Sequence, residues 1–186
     1  MKLLKIILLL VISFNTSLIA NSNDDLQNIL SEGGKLIFIR HAYAPGTGDP
    51  DNFDISNCNS QRNLNKEGVE QAKDIGKFFL KNHIEGNIVL SSEWCRCQQT
   101  AKYAFKNYKT KSFLNSFYNQ KFAHKRANQI KELKEYIQKW DGKDNLVFVT
   151  HYVVILEILN LSVSSGEIVI ADKGFNILAR QETSNN

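Results

Sequence analysis

Two histidines and two arginines carry the chemistry that this chain can do. Arg40 and His41 follow the apolar run Leu36-Ile37-Phe38-Ile39, and His151 follows Leu146-Val147-Phe148-Val149-Thr150. Arg96 lies a few residues beyond a third apolar run, Ile88-Val89-Leu90. Continuous apolar runs of this length suit strands buried on both faces. Polar groups at the carboxyl ends of such strands face the crevice where open α/β sheets bind ligands. A neutral imidazole can act as a nucleophile, and arginine clamps oxyanions through two parallel hydrogen bonds without losing its charge. Together these groups suit phosphoryl transfer, with one histidine as the covalent acceptor and fixed cations around the equatorial oxygens.

The elements that must place these groups alternate along the chain. A short helix is expected over Asn23 to Ser31, stopped by Gly33-Gly34. After the first strand comes a loop rich in turn formers, Tyr43 to Gln61, which reads as a substrate-facing lid. Asn65 is the expected cap of the longest helix, with Val69, Ala72, Ile75, Gly76 and Phe79 on its inner face. The second strand is followed by Ser92 to Ala101, which turns into another helix reaching about Asn107. Residues 108 to 124 show no clean period. Lys125 to Lys139 is amphipathic, with Ala127, Ile130, Leu133 and Ile137 inward and a Glu135–Lys139 pair outward. An apolar helix over Val153 to Leu161 follows the third strand, and Glu167 to Ile170 with Phe175 to Ala179 form a last strand pair. Strand–helix alternation of this kind predicts a three-layer α/β/α domain with a mostly parallel central sheet.

Composition narrows the function classes. The chain has 186 residues, 42% hydrophobic and 23% charged, as expected of one globular domain. The net charge is +4, and without Lys2 and Lys5 it falls to +2 (21 basic, 19 acidic), which is no nucleic-acid-binding balance. Residues 1–20 have a basic start, an apolar run from Ile6 to Ile12 and a polar patch before Ala20, the layout of a secretory signal peptide. The apolar run is short for a membrane span. The expected organisation is therefore a leader over 1–20 and one domain over 21–186. The product would be exported, periplasmic in a bacterium, with no stable membrane span after leader removal. Three cysteines, Cys58, Cys95 and Cys97, then suggest one disulfide and one free thiol.

Arg40-His41-Ala42, the segment Ser91 to Ala101 around Arg96, and Thr150-His151 resemble the signatures of the histidine phosphatase superfamily, the phosphoglycerate-mutase-like proteins, and within it the exported single-domain bacterial branch. The resemblance runs from about Gly33 to Ile170. It implies a phosphoglycerate-mutase-like fold and a metal-independent phosphatase that needs no cofactor. The substrate would be a phosphomonoester or a phosphoramidate. By the same resemblance His41 is the nucleophile, Arg40 and Arg96 bind phosphate, and His151 contacts the phosphoryl group opposite His41. Gln61 to Gly68 is similar to the segment that opens the corresponding helix in small phosphohistidine phosphatases, which makes Arg62 a further phosphate ligand. Exported relatives look similar around Cys58 and Cys95, which implies that pairing in preference to Cys58–Cys97. A zinc site on Cys95 and Cys97 is disfavoured by their one-residue gap. Exported relatives also include proteins similar to lipopolysaccharide core heptose phosphatases, so an envelope sugar phosphate is a candidate substrate. Ala42 stands where the family usually has glycine. Asn107 to His124 contains no Asp or Glu, so the usual region supplies no general acid. Candidates elsewhere are Glu93, Glu167 and Asp49, with Asp51 and Asp54 in the same lid. A second reading keeps the fold and the pocket but reduces the protein to a weakly catalytic binder of phosphoryl ligands.

Overall fold

The computed structural model describes residues 23–84 and 88–183, the first three through their backbone alone. The expected leader, residues 1–20, lies outside the described residues. In chain order the elements are α1 (Asn23–Ser31), β1 (Leu36–Arg40), α2 (Lys66–Lys81), β2 (Ile88–Ser91), α3 (Cys95–Phe105), β3 (Lys109–Thr110), α4 (Gln120–Ala123), α5 (Arg126–Lys139), β4 (Leu146–Thr150), α6 (Tyr152–Leu159), β5 (Ile168–Ala171) and β6 (Ile177–Gln181). Single 3-10 turns cover Cys58–Ser60 and Ser112–Leu114.

The strands form one sheet in the order β3-β2-β4-β1-β5-β6. β3, β2, β4 and β1 run parallel, and β5 and β6 add an antiparallel hairpin at the other side. The strand period of two divides the core. Leu36, Phe38, Leu146, Phe148 and Val169 face α5 and α6, where Ile130, Leu133, Ile137, Val154 and Ile155 are buried. Ile37, Ile39, Val147, Val149 and Ile170 face the other way, onto Leu26, Leu30, Ile75, Phe79, Cys97 and Ala101 of α1, α2 and α3. This is the expected α/β/α layering with a mostly parallel sheet.

Two sequence expectations for α5 fail. Ala127 is exposed, and Gln129 is buried instead, where its Nε2 donates to the carbonyls of Ser112 (2.9 Å) and Asn115 (3.0 Å). A buried amide that tethers a loop takes the place the apolar period assigned to alanine. Glu135 pairs at 2.8 Å with Lys131, one turn before it, and not with Lys139. The stretch 108–124, which shows no period, holds β3, the turn at Ser112 and the short helix α4, pieces too brief to produce one.

What matters for the site is that β1, β2 and β4 end together. Arg40 pairs in register with Thr150, and Ser91 with Val149. Beyond the strands, the His41 amide donates to the Thr150 carbonyl and the Ser92 amide to the Val149 carbonyl, both at 2.9 Å. The three motifs are thereby locked at one sheet edge.

Candidate active site

His41 leaves β1 into a buried position, 3% exposed. Its Nδ1 lies 2.9 Å from the Ala42 carbonyl, an acceptor, so Nδ1 carries the proton. Nε2 is left with its lone pair, facing Arg96 Nε at 3.3 Å. The backbone after His41 is pinned: the Ala42 amide donates to Thr100 Oγ1 (3.0 Å) and the Tyr43 amide to Gln71 Oε1 (2.8 Å). Burial, and then the charge of Arg96, hold the His41 imidazole well below the usual histidine range, so it is neutral.

Arg96 enters on the first turn of α3, nearly sealed from solvent. Its Nη2 reaches toward His151 Nδ1 at 3.5 Å, and its Nη1 forms an ion pair with Asp49 at 2.7 Å. One guanidinium therefore touches both histidines and a carboxylate. A guanidinium only donates, so His151 is assigned its proton at Nε2, which lies 3.0 Å from Ser92 Oγ. Ser92 Oγ in turn donates to Asn115 Oδ1 (3.0 Å). The rings of His41 and His151 are 5.5 Å apart, nearly edge to face. Burial, Arg96 and His41 lower the His151 pKa well below normal as well.

Arg40 and Arg62 complete the cationic lining. Arg40 Nη1 donates to the Val163 carbonyl (2.8 Å), and the guanidinium lies over the Tyr152 ring. Arg40 Nε has no partner among the described residues. Arg62 is held by the Gly48 carbonyl (2.8 Å from Nε) and by the Ala44 carbonyl through Nη1. All five residues line one cavity of about 280 Å³. Phe53, Trp94, Tyr118, Lys121 and Phe122 line it as well. Phe53 stacks on Trp94 at 4.9 Å, and Phe122 meets both rings edge-on at 5.6 Å.

The lid is tied down at three places. Cys58 and Cys95 form a disulfide, Cα atoms 5.6 Å apart, and Cys97 stays a buried free thiol. Gln61 Oε1 accepts from the Cys95 amide (2.9 Å), capping α3, while its Nε2 donates to the carbonyls of Asp54 and Ile55. Asp49 accepts from Trp94 Nε1 (3.1 Å) and from the Arg62 amide (3.1 Å) in addition to Arg96.

The three acid candidates separate cleanly. Glu93 is not among the residues that line the cavity and accepts from Asn115 Nδ2 at 2.6 Å. Glu167 is 1% exposed, paired with Arg180 (2.6 Å), and accepts from the Ser164 amide (2.7 Å). Neither lines the cavity; Asp49 does. Asp51 and Asp54 are exposed, and Asp54 is bonded to Ser56. Residues missed in the sequence are Gln71, Asn115 and Lys121, single polar side chains that no motif or period marks. Ser92 and Thr100 lie inside the segment around Arg96, and that proximity is the signal that could have found them. Among the described residues no group of acids, histidines and cysteines could hold a metal ion.

The sequence profile of the Histidine phosphatase superfamily (branch 1) matches residues 36–146. The chain belongs to that superfamily. The match spans β1 to the start of β4, so His41, Arg62 and Arg96 fall inside it and His151 lies just past its end. No curated protein sequence matches. Solved structures share the fold at low identity. Phosphoglycerate mutase from Thermus thermophilus superposes with a TM-score of 0.59 at 14% identity, covering 81% of this chain and 99% of that one. The protein histidine phosphatase SixA, solved with tungstate, gives 0.58 at 13%, covering 80% and 97%. The alpha-ribazole phosphatase from Shigella flexneri gives 0.58 at 15%, covering 81% and 96%.

Proposed function

We propose that this protein is a metal-independent phosphatase that works through a phosphohistidine at His41. The observation that carries it is the fixed tautomer of His41. Its proton is held by the Ala42 carbonyl, which leaves Nε2 as the nitrogen with the lone pair, accepting from Arg96 Nε in the cavity that both residues line. Nε2 attacks phosphorus and the ester oxygen leaves; water then attacks the phosphohistidine and returns the imidazole. Arg96, Arg62 and Arg40 neutralise the oxygens of the transferring group, and His151 borders it from the opposite wall. Membership in the superfamily and neighbours named as phosphatases support hydrolysis.

The cavity suits a small phosphorylated substrate, with an aromatic wall and Lys121 at the leaving-group end. An envelope sugar phosphate fits an exported enzyme. The described residues include a disulfide, which is consistent with export. The test is steady-state turnover in EDTA of sugar phosphates, p-nitrophenyl phosphate and a phosphoramidate, with His41→Ala alongside. Turnover that resists EDTA and vanishes in His41→Ala is expected. Activity that survives His41→Ala, or that EDTA abolishes, contradicts the proposal. Binding without turnover in the wild type supports the weakly catalytic alternative.

A further inference from the structure

Cleaving an unactivated phosphate ester needs a proton for the departing oxygen, and one group in the cavity is placed to supply it. Among the described residues lining the cavity, Asp49 is the only carboxylate. It lies on the lid between Gly48, which has φ +69, and Pro50. Its partners are all donors: Arg96 Nη1, Trp94 Nε1 and the Arg62 amide. Asp49 thus rests on the guanidinium that also touches the nucleophile His41. A phosphoryl group poised for attack by Nε2 needs that same guanidinium. The carboxylate and the phosphoryl group compete for one cation.

Given the phosphatase reaction proposed for this site, we infer that Asp49 is the proton donor to the leaving group, released from Arg96 for that role when a phosphoryl group binds. The exchange accounts for each proton. Substrate enters as the monoanion, takes Arg96, and passes its phosphate proton to the displaced carboxylate. That carboxylate now faces a dianion in place of a cation, which favours its protonated form. The Nε2 lone pair forms the N–P bond, the P–O ester bond breaks, and the proton moves from Asp49 to the leaving oxygen. In the second half Asp49 takes a proton from water as the water oxygen bonds to phosphorus. The N–P bond then breaks with its electron pair returning to Nε2. Orthophosphate leaves with the Asp49 proton, and the carboxylate falls back onto Arg96. Overall, ester and water give alcohol and phosphate.

The test compares wild type with Asp49→Asn and Asp49→Glu in the full chain, on an alkyl phosphate and on p-nitrophenyl phosphate. The nitrophenolate needs little protonation. Asp49→Asn is expected to slow the alkyl ester about a hundredfold, with a loss on p-nitrophenyl phosphate at least about tenfold smaller. With the internal competitor gone, orthophosphate should inhibit Asp49→Asn at least about threefold more tightly, since an anion no longer has to displace a charged carboxylate from Arg96. Asp49→Glu, still a carboxylic acid, should recover part of the alkyl-ester rate. Equal losses on both esters, an alkyl rate left intact, or weaker orthophosphate inhibition in Asp49→Asn overturns the assignment. A wild-type protein that turns over neither these esters nor a phosphoramidate defeats the phosphatase proposal itself, which keeps the two failures apart.

Discussion

Arg96 joins more of the site than any other side chain described: His41 through Nε, Asp49 through Nη1 and His151 through Nη2. A lysine there keeps the charge but has one ammonium in place of a planar fork. Arg96→Lys is therefore expected to lower kcat about 10²–10³-fold, comparable to removing an oxyanion donor, with little change in fold. Steady-state kinetics and a thermal melt check both parts. The residues of this cluster were legible in the sequence because each ends or closely follows an apolar run, and strand ends sort chemistry to one edge. Asp49 stood only as one acid among several in a turn-rich loop. Its selection depends on contacts with Trp94 and Arg96, more than forty positions away, which no local pattern encodes. The same applies to Gln129, whose burial answers to two carbonyls outside its helix.

At the level of elements, the lid and α2 set the position of the site. The Cys58–Cys95 bridge closes a loop with a sequence separation of 37, and constraining a loop of that size contributes about 2–4 kcal/mol. Reduction, or a Cys58→Ser/Cys95→Ser pair, should lower the denaturant midpoint accordingly. Activity should fall as well, because Gln61 and Arg62 follow closely after Cys58. Gly68 is the other pivot. It sits in the first turn of α2, whose N-cap Asn65 accepts from the Gly68 amide. A Cβ at Gly68 would come within 1.9 Å of the Tyr43 carbonyl oxygen, two residues past His41. Backbone cannot yield as a side chain can, so Gly68→Ala should destabilise by about 1–3 kcal/mol and displace the nucleophile strand end. A urea titration and kcat together report it. Capping by Asn65 was readable from its residue type; the close approach to Tyr43 was not, since the Gly68 type alone does not name its neighbour.

For the molecule as a whole, the sheet and its two helical layers followed from the alternation of apolar runs and amphipathic periods, and the order of β3 and α4 did not, because those pieces span fewer than two turns or strand repeats. One global property follows from the buried histidines. An unfolded histidine titrates near about 6.5. His41 and His151 stay neutral below that in the folded state, through burial and the nearby Arg96 charge. Below about pH 6.5 the unfolded chain therefore binds more protons than the folded one, and stability falls as pH drops toward the lowered folded values. Above about pH 6.5 that contribution is fully present. Denaturant midpoints between about pH 7 and pH 5 should decline, and His41→Asn/His151→Asn should flatten the decline. By the same token kcat/KM should show no loss from protonating the nucleophile near about pH 6.5.

The central claim is a covalent phosphoryl group on His41. Rapid quenching of the enzyme with phosphate-labelled substrate, followed by peptide mass spectrometry under alkaline conditions, tests it most directly. An acid-labile phosphoryl group on the peptide carrying His41, absent in His41→Ala, is the predicted result. Turnover with no phosphoryl group on His41, or with the group on another residue, would contradict it.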